Sequence, residues 1–189
     1  MTIFLILAPF AAFAALMMVT SVKISLAVAA AIGMGVVGWD LFKGRSLKAL
    51  SLGAAILFAA LSAYHMLAAQ ELNATTVRLV VDTTVLAIAL VSIAIRKPFT
   101  LQYAREAVDV TTVDEQIFVR TNYILTWVWS AAFVLMLIAD IVSIYLPSMP
   151  LWACAAIAFA ARNSAVYFTQ WYPNHVRTAA AASAAPATV

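Results

Sequence analysis

Four side chains conflict with their surroundings. His65, Asp82, Asp140 and Arg162 each lie within a long apolar run, where an ionisable group costs about 2.5 to 3.5 kcal/mol even on the lenient insertion scale. Such groups are suited to exchanging protons or holding ions, because burial and a nearby guanidinium pull the protonation of a carboxyl in opposite directions. At a rise of ~1.5 Å per residue, His65, Asp82 and Asp140 fall in the outer third of their spans. Arg162 lies deeper, with a stem long enough to reach outward toward both carboxylates. Asn163, Tyr167 and Gln170 follow at helical spacing and make a polar stripe beside it. The spacing therefore predicts one polar pocket with Arg162 as counter-ion and Asp82, Asp140 or His65 as the exchanging groups.

The same residues admit plainer roles. Arg78 and Asp82 are four apart and can pair on one helix at the membrane boundary, while Asp140 and His65 sit near enough to span ends to meet interfacial water. A lone histidine on an apolar helix is usually a hydrogen-bonded structural residue, and no second histidine stands at ligand spacing, so no metal or haem is expected. Cys154 is the only cysteine and lies in an apolar run, which excludes an intrachain disulfide and suggests a buried thiol. The chain lacks a metal-binding HExxH, a Gly-rich phosphate loop and a CxxC pair. Neither an enzyme nor a cofactor is expected.

The elements that must position these groups follow from composition. Of 189 residues, 66% are hydrophobic and 10% charged, and mean hydropathy is +1.01; a soluble domain carries about a quarter charged residues and at this size buries only about 70% of its unfolded surface. Lipid must cover the rest. Six apolar stretches approach the roughly 20 residues that a span requires: 3–19, 24–42, 49–69, 76–95, 121–146 and 150–171. The fold class is therefore all-α, a polytopic bundle of six transmembrane helices occupying 1–173. A polar tail, 174–189, has no apolar periodicity and reads as disordered.

Net charge is +3, but the basic residues come in short runs between apolar stretches, which is topology information rather than a nucleic-acid footprint. Lys43, Arg45, Lys48, Arg96, Lys97, Arg105, Arg120 and Arg177 fall on one side, against Lys23 and Arg78 on the other. That asymmetry places both termini in the cytoplasm. Asp40, at the cytoplasmic end of the second span, is expected to reach water or pair with Lys43. In the same span Ala27, Ala31, Gly35 and Gly38 put small residues on one face, a pattern for close helix packing within the chain or across a homo-oligomer.

The segment 96–112, beginning RKPFTLQYARE, is polar enough to interrupt the apolar pattern. If Pro98 opens a helix, Phe99, Tyr103, Ala107 and Val110 share a face opposite Gln102, Arg105, Glu106 and Asp109. Such an amphipathic elbow would lie along the inner membrane surface, apolar side down. Thr112-Val113-Asp114-Glu115 then reads as a capping box that starts the fifth span. The elbow is a connector, a gate, or a docking face for cytoplasmic partners with Arg96, Lys97, Tyr103 and Arg105 as its contacts.

Arg96, Pro98, Leu101, Ala104 and Arg105, followed by Phe118, Arg120, Thr126 and Trp127, resemble the corresponding loop of bacterial intracellular septation protein A-like membrane proteins. The likeness covers about thirty residues. It implies a small inner-membrane protein associated with envelope growth or division, partnered by other envelope proteins, and supplies no catalytic residues. Glu106 and the acidic 109–115 stretch depart from the basic loops of that family. Two functions thus stand side by side: translocation of a small solute or ion through the pocket, and a non-catalytic envelope or septation scaffold that recruits partners through the elbow. Charges on three neighbouring helices favour the first.

Overall fold

A computed structural model of the chain describes residues 2–68, 72–107, 114–146 and 149–184. Among these there are seven helices and no strand: α1 (Thr2–Leu16), α2 (Val22–Phe42), α3 (Ala49–Leu67), α4 (Ala74–Ala94), α5 (Phe99–Ala107), α6 (Glu115–Tyr145) and α7 (Leu151–Ala184). Short connections make sequential long helices antiparallel neighbours, and α1 packs on α2, α2 on α3, α3 on α4, α4 on α6 and α6 on α7. The ends of α2 and α4 and the starts of α3 and α6 gather with α5 at one end of the bundle, the elbow end. His65, Arg78 and Asp140 lie toward the far end.

Four helices, α2, α3, α4 and α6, are long and apolar enough to cross a membrane. Only 28% of the most apolar window of α2, and the same of α4, is buried, so most of that apolar surface faces outward, as a lipid solvent requires. Of the other two expected spans, α1 contributes a shorter apolar stretch, Leu7–Leu16, and α7 breaks its apolar run at Arg162 and Asn163. The interior is built from two clusters. Phe13, Leu26, Ala29, Ala30, Phe58, Leu61, Val77 and Val81 join α1 to α4; Leu50, Val85, Ala89, Trp129, Phe133, Ala161 and Ala165 join α3, α4, α6 and α7 beneath Phe99 and Tyr103 of the elbow.

Helix ends show how the loops are set. α2 and α4 both finish in a Schellman turn: Arg45 N–H reaches Asp40 O and Gly44 N–H reaches Leu41 O, while Lys97 N–H reaches Ser92 O and Arg96 N–H reaches Ile93 O. Each needs a left-handed residue at its apex. Gly44 supplies one at φ 65°, and Arg96 supplies the other at φ 57°, where a side chain costs about 1–2 kcal/mol. Arg96→Gly relieves that strain but frees the unfolded chain, so a net gain of about 0.5–1 kcal/mol is expected, read as a higher midpoint of thermal unfolding in detergent.

Three expectations are corrected here. The small face of Ala31, Gly35 and Gly38 points out of the bundle, with nothing near Gly35 or Gly38, which removes packing within the chain and leaves packing across a homo-oligomer as an expectation. Gly33 makes the close approach instead, its Cβ position 3.1 Å from the Ala55 Cα of α3; successive residues turn by about 100°, and the spacing of small residues does not say which small face meets a neighbour. The cap of α6 is Asp114, whose side chain accepts from the N–H groups of Gln116 and Ile117; Thr112 lies outside the described residues. The stretch 174–184 continues α7 through Pro173. Trp171 stacks on His175 at 5.0 Å, Phe168 on Tyr172 at 5.0 Å, and the alanines that follow have the highest helix propensity.

Candidate functional site

At the far end, α4 and α6 bring three ionisable groups together. Asn73 caps α4, accepting from Thr76 N–H at 2.7 Å, and this sets Arg78 and Asp82 one turn apart on the helix. Asp140 of α6 meets Arg78 at 3.3 Å, and the Asp82 carboxyl lies beside that of Asp140. Asp140 is only 2% exposed on its side chain, whereas Arg78 is 39% exposed and reaches outward. Oδ2 of Asp140 is buried without a hydrogen-bond partner among the described residues. Two carboxyls and one guanidinium thus face one another, the carboxyls placed so that they can share a proton.

Asp82 and Asp140 therefore converge as their spacing predicts, but with a different cation. Arg162 is half-buried on α7, and among the described residues it makes no ion pair. Counted from the α6–α7 turn, it lies roughly twice as far along its helix as Asp140 does along the other, so antiparallel pairing leaves the two at different depths. Asn163 and Tyr167 are exposed, and Asn163 spends its amide on Phe159 O at 2.7 Å. The α7 stripe faces away from the carboxylates.

His65 is also separate. It is buried, with Nδ1 3.3 Å from Leu61 O and Nε2 3.2 Å from Leu72 O. Both partners are carbonyls, so a neutral ring donates to one and a protonated ring to both. In either state the ring fastens the end of α3 to the start of the path into α4. His65→Ala leaves Leu72 O without its donor, while Leu61 O keeps its helical N–H, and should cost about 1–3 kcal/mol, seen as a lower unfolding midpoint with ion flux retained.

The elbow end holds a second charged cluster, which sequence reasoning missed. Lys48 is 2% exposed; its Nζ donates to Asp40 Oδ2 at 2.9 Å and meets Glu106 Oε2 at 2.9 Å, above the Tyr103 ring at 5.7 Å. Arg45 adds a longer contact to Asp40 at 3.8 Å. Asp40 is thus buried and paired with Lys48 and Arg45, not with Lys43, which lies over Trp39 at 5.2 Å. The signal available in the chain was Asp40 just inside the end of a span and Lys48 at the start of the next, but Glu106 is too remote in sequence for spacing to reveal it.

α5 packs inward instead of lying flat on a surface. Phe99, Thr100, Leu101 and Tyr103 are all buried. Phe99 N–H donates to Ser92 Oγ at 3.1 Å, Ala49 N–H to Gln102 Oε1 at 2.9 Å, and Ser51 N–H to the Tyr103 hydroxyl at 3.3 Å. Burial pushes the Tyr103 phenol up to about 12, so it keeps its proton at neutral pH. Tyr103 is consequently closed to a partner docking on the elbow. Arg96, Lys97 and Arg105 remain exposed, with Arg105 3.6 Å from Glu115. An open groove of about 590 Å³ lined by Glu115, Gln116, Val119, Arg120 and Tyr123 lies at the elbow end of α6, away from Asp82 and Asp140.

No group of three His, Cys, Asp or Glu side chains suited to a metal occurs among the described residues. Comparison with protein-family models, with curated proteins and with solved structures returns no match, so the functional reading rests on this geometry alone.

Proposed function

We propose that the chain crosses a bacterial inner membrane six times, both termini cytoplasmic, and moves a small cation, the proton being the smallest, between α4 and α6. The observation that carries this reading is the pair of carboxyls, Asp82 and Asp140, that meets beside Arg78 between α4 and α6. Two acids against one base leave the cluster with capacity for one positive charge. A purely structural pair would be satisfied by one acid. The scaffold alternative draws less support, because the elbow turns Phe99, Leu101 and Tyr103 into the bundle and offers a partner only scattered basic side chains.

The test is flux in liposomes. Purified protein should dissipate an imposed proton or potassium gradient, followed with an internal pH dye or a potential dye, and Asp82→Asn with Asp140→Asn should abolish it while the protein stays folded. Wild-type protein that moves neither ion, tested in both directions, would sink the proposal.

A further inference from the structure

The outer face of α7 carries amides at a depth where lipid offers them no partner. Trp129 Nε1–H of α6 donates to Thr169 Oγ1 of α7 at 2.9 Å, which fixes the relative height of the two antiparallel helices. Six residues along each from that bond, Asn163 stands level with Leu135, near the middle of the apolar stretch 121–146. Ala161 and Ala165 turn into the core, and at about 100° per residue Asn163 lies about 160° from both. Its side chain is exposed. One amide hydrogen goes to Phe159 O at 2.7 Å, which leaves a second N–H and a carbonyl oxygen for an outside partner. Polar side chains at this depth ordinarily bond across helices, yet Asn163 faces away from every other helix of its own bundle.

The exposed residues around it are spaced for a neighbouring helix. Ala156, Ala160, Asn163, Tyr167 and Gln170 follow one another in alternate steps of four and three, and all five are exposed, Tyr167 by 69%. That alternation is the 3.5-residue repeat that keeps one seam against a parallel helix in left-handed packing. Ala156 and Ala160 allow the backbones to approach, and Asn163 and Gln170 place amides about two turns apart. The small face of α2, with Ala31, Gly35 and Gly38, has no such amide, so lipid satisfies it.

The chemistry of the seam selects its occupant. Copies of one chain enter the membrane in the same orientation, so a twofold axis sets α7 parallel to α7 and each seam residue against its own image. An amide is donor and acceptor at once and therefore complements itself. None of the five residues is charged, and Arg162 lies one 100° step off the seam, so no like charges are forced together. We propose that α7 is a dimer interface, in which two copies of the chain pair along this seam with the Asn163 amides bonded across the axis. The interface goes beyond the ion path and takes from the translocation reading only the placing of α7 across the membrane.

The experiment is cysteine cross-linking in lipid-rich proteoliposomes, with Cys154→Ala as background and copper phenanthroline as oxidant. A disulfide needs Cβ atoms about 3.5–4.5 Å apart, so Ala156→Cys and Ala160→Cys should form covalent dimers about tenfold faster than Ala155→Cys and Ser164→Cys on either flank. Energy transfer between donor- and acceptor-labelled copies, diluted in lipid, should show Asn163→Leu dimers weaker by about threefold to thirtyfold; Gln170→Leu is the second variant. Equal cross-linking around α7 would mean random collision, and cross-links at Gly35→Cys with none on α7 would move the contact to α2. Either result overturns the interface, as does undiminished pairing in both leucine variants. Rapid reaction of Asn163→Cys with a membrane-impermeant sulfonate methanethiosulfonate would put this face in water, and the membrane placing of α7 would fall together with the dimer. A wild type that carries no ion removes the translocation reading and leaves these results to decide the interface.

Discussion

Lys48→Met lowers the stability of the bundle by about 3–5 kcal/mol, the cost of leaving a buried charge without its partner. The methionine stem fills nearly the same volume and removes only the ammonium, so the loss reports electrostatics and not packing. Asp40, with its side chain 7% exposed, is left facing Arg45 at 3.8 Å, a contact too long to replace a 2.9 Å bond. Glu106, 24% exposed, can turn to water. Glu106→Gln should therefore cost much less, about 1 kcal/mol, because Lys48 retains Asp40. Denaturation in detergent, followed by tryptophan fluorescence, gives both numbers; equal costs for the two variants would mean that Lys48 is not the centre of the cluster.

Asp140→Asn abolishes ion flux with little loss of fold. The asparagine keeps the shape of the side chain and an oxygen for Arg78, and the partly exposed guanidinium can also reach water or lipid headgroups. Removing the other partner has a different result. Arg78→Ala strands a carboxylate that is 2% exposed, and about 3–5 kcal/mol of stability should go with it. Flux in liposomes beside thermal unfolding of the same preparations separates the outcomes. Wild-type flux in Asp140→Asn would remove this carboxylate from the path.

Much of this architecture was legible because apolar length is a strong signal: four of the six expected spans return as helices long and apolar enough to cross a membrane, and Asp82 and Asp140 lie on helices that pack together. The identity of the cation was not. Reach and depth pointed to Arg162, but whether a stem can reach depends on where the α6–α7 turn sets the register, and that turn leaves Arg162 too far along its helix. Arg78 had been visible as a neighbour of Asp82 and pairs across to α6 instead. The elbow misled for a related reason. Its alternation of apolar and polar residues suits a membrane surface and a protein groove equally, and only tertiary bonds from Ser51, Ser92 and Asn122 decide between them.

The Lys48 cluster also implies an order of assembly. Asp40 and Lys48 are separated by eight positions, and closing so short a loop costs little entropy; that pair can form as soon as α2 and α3 have been made. Glu106, on α5, emerges only after α4 has followed. During synthesis the ammonium therefore waits half-satisfied at the mouth of the nascent bundle, and the arrival of α5 closes that mouth as the last step of building its first half.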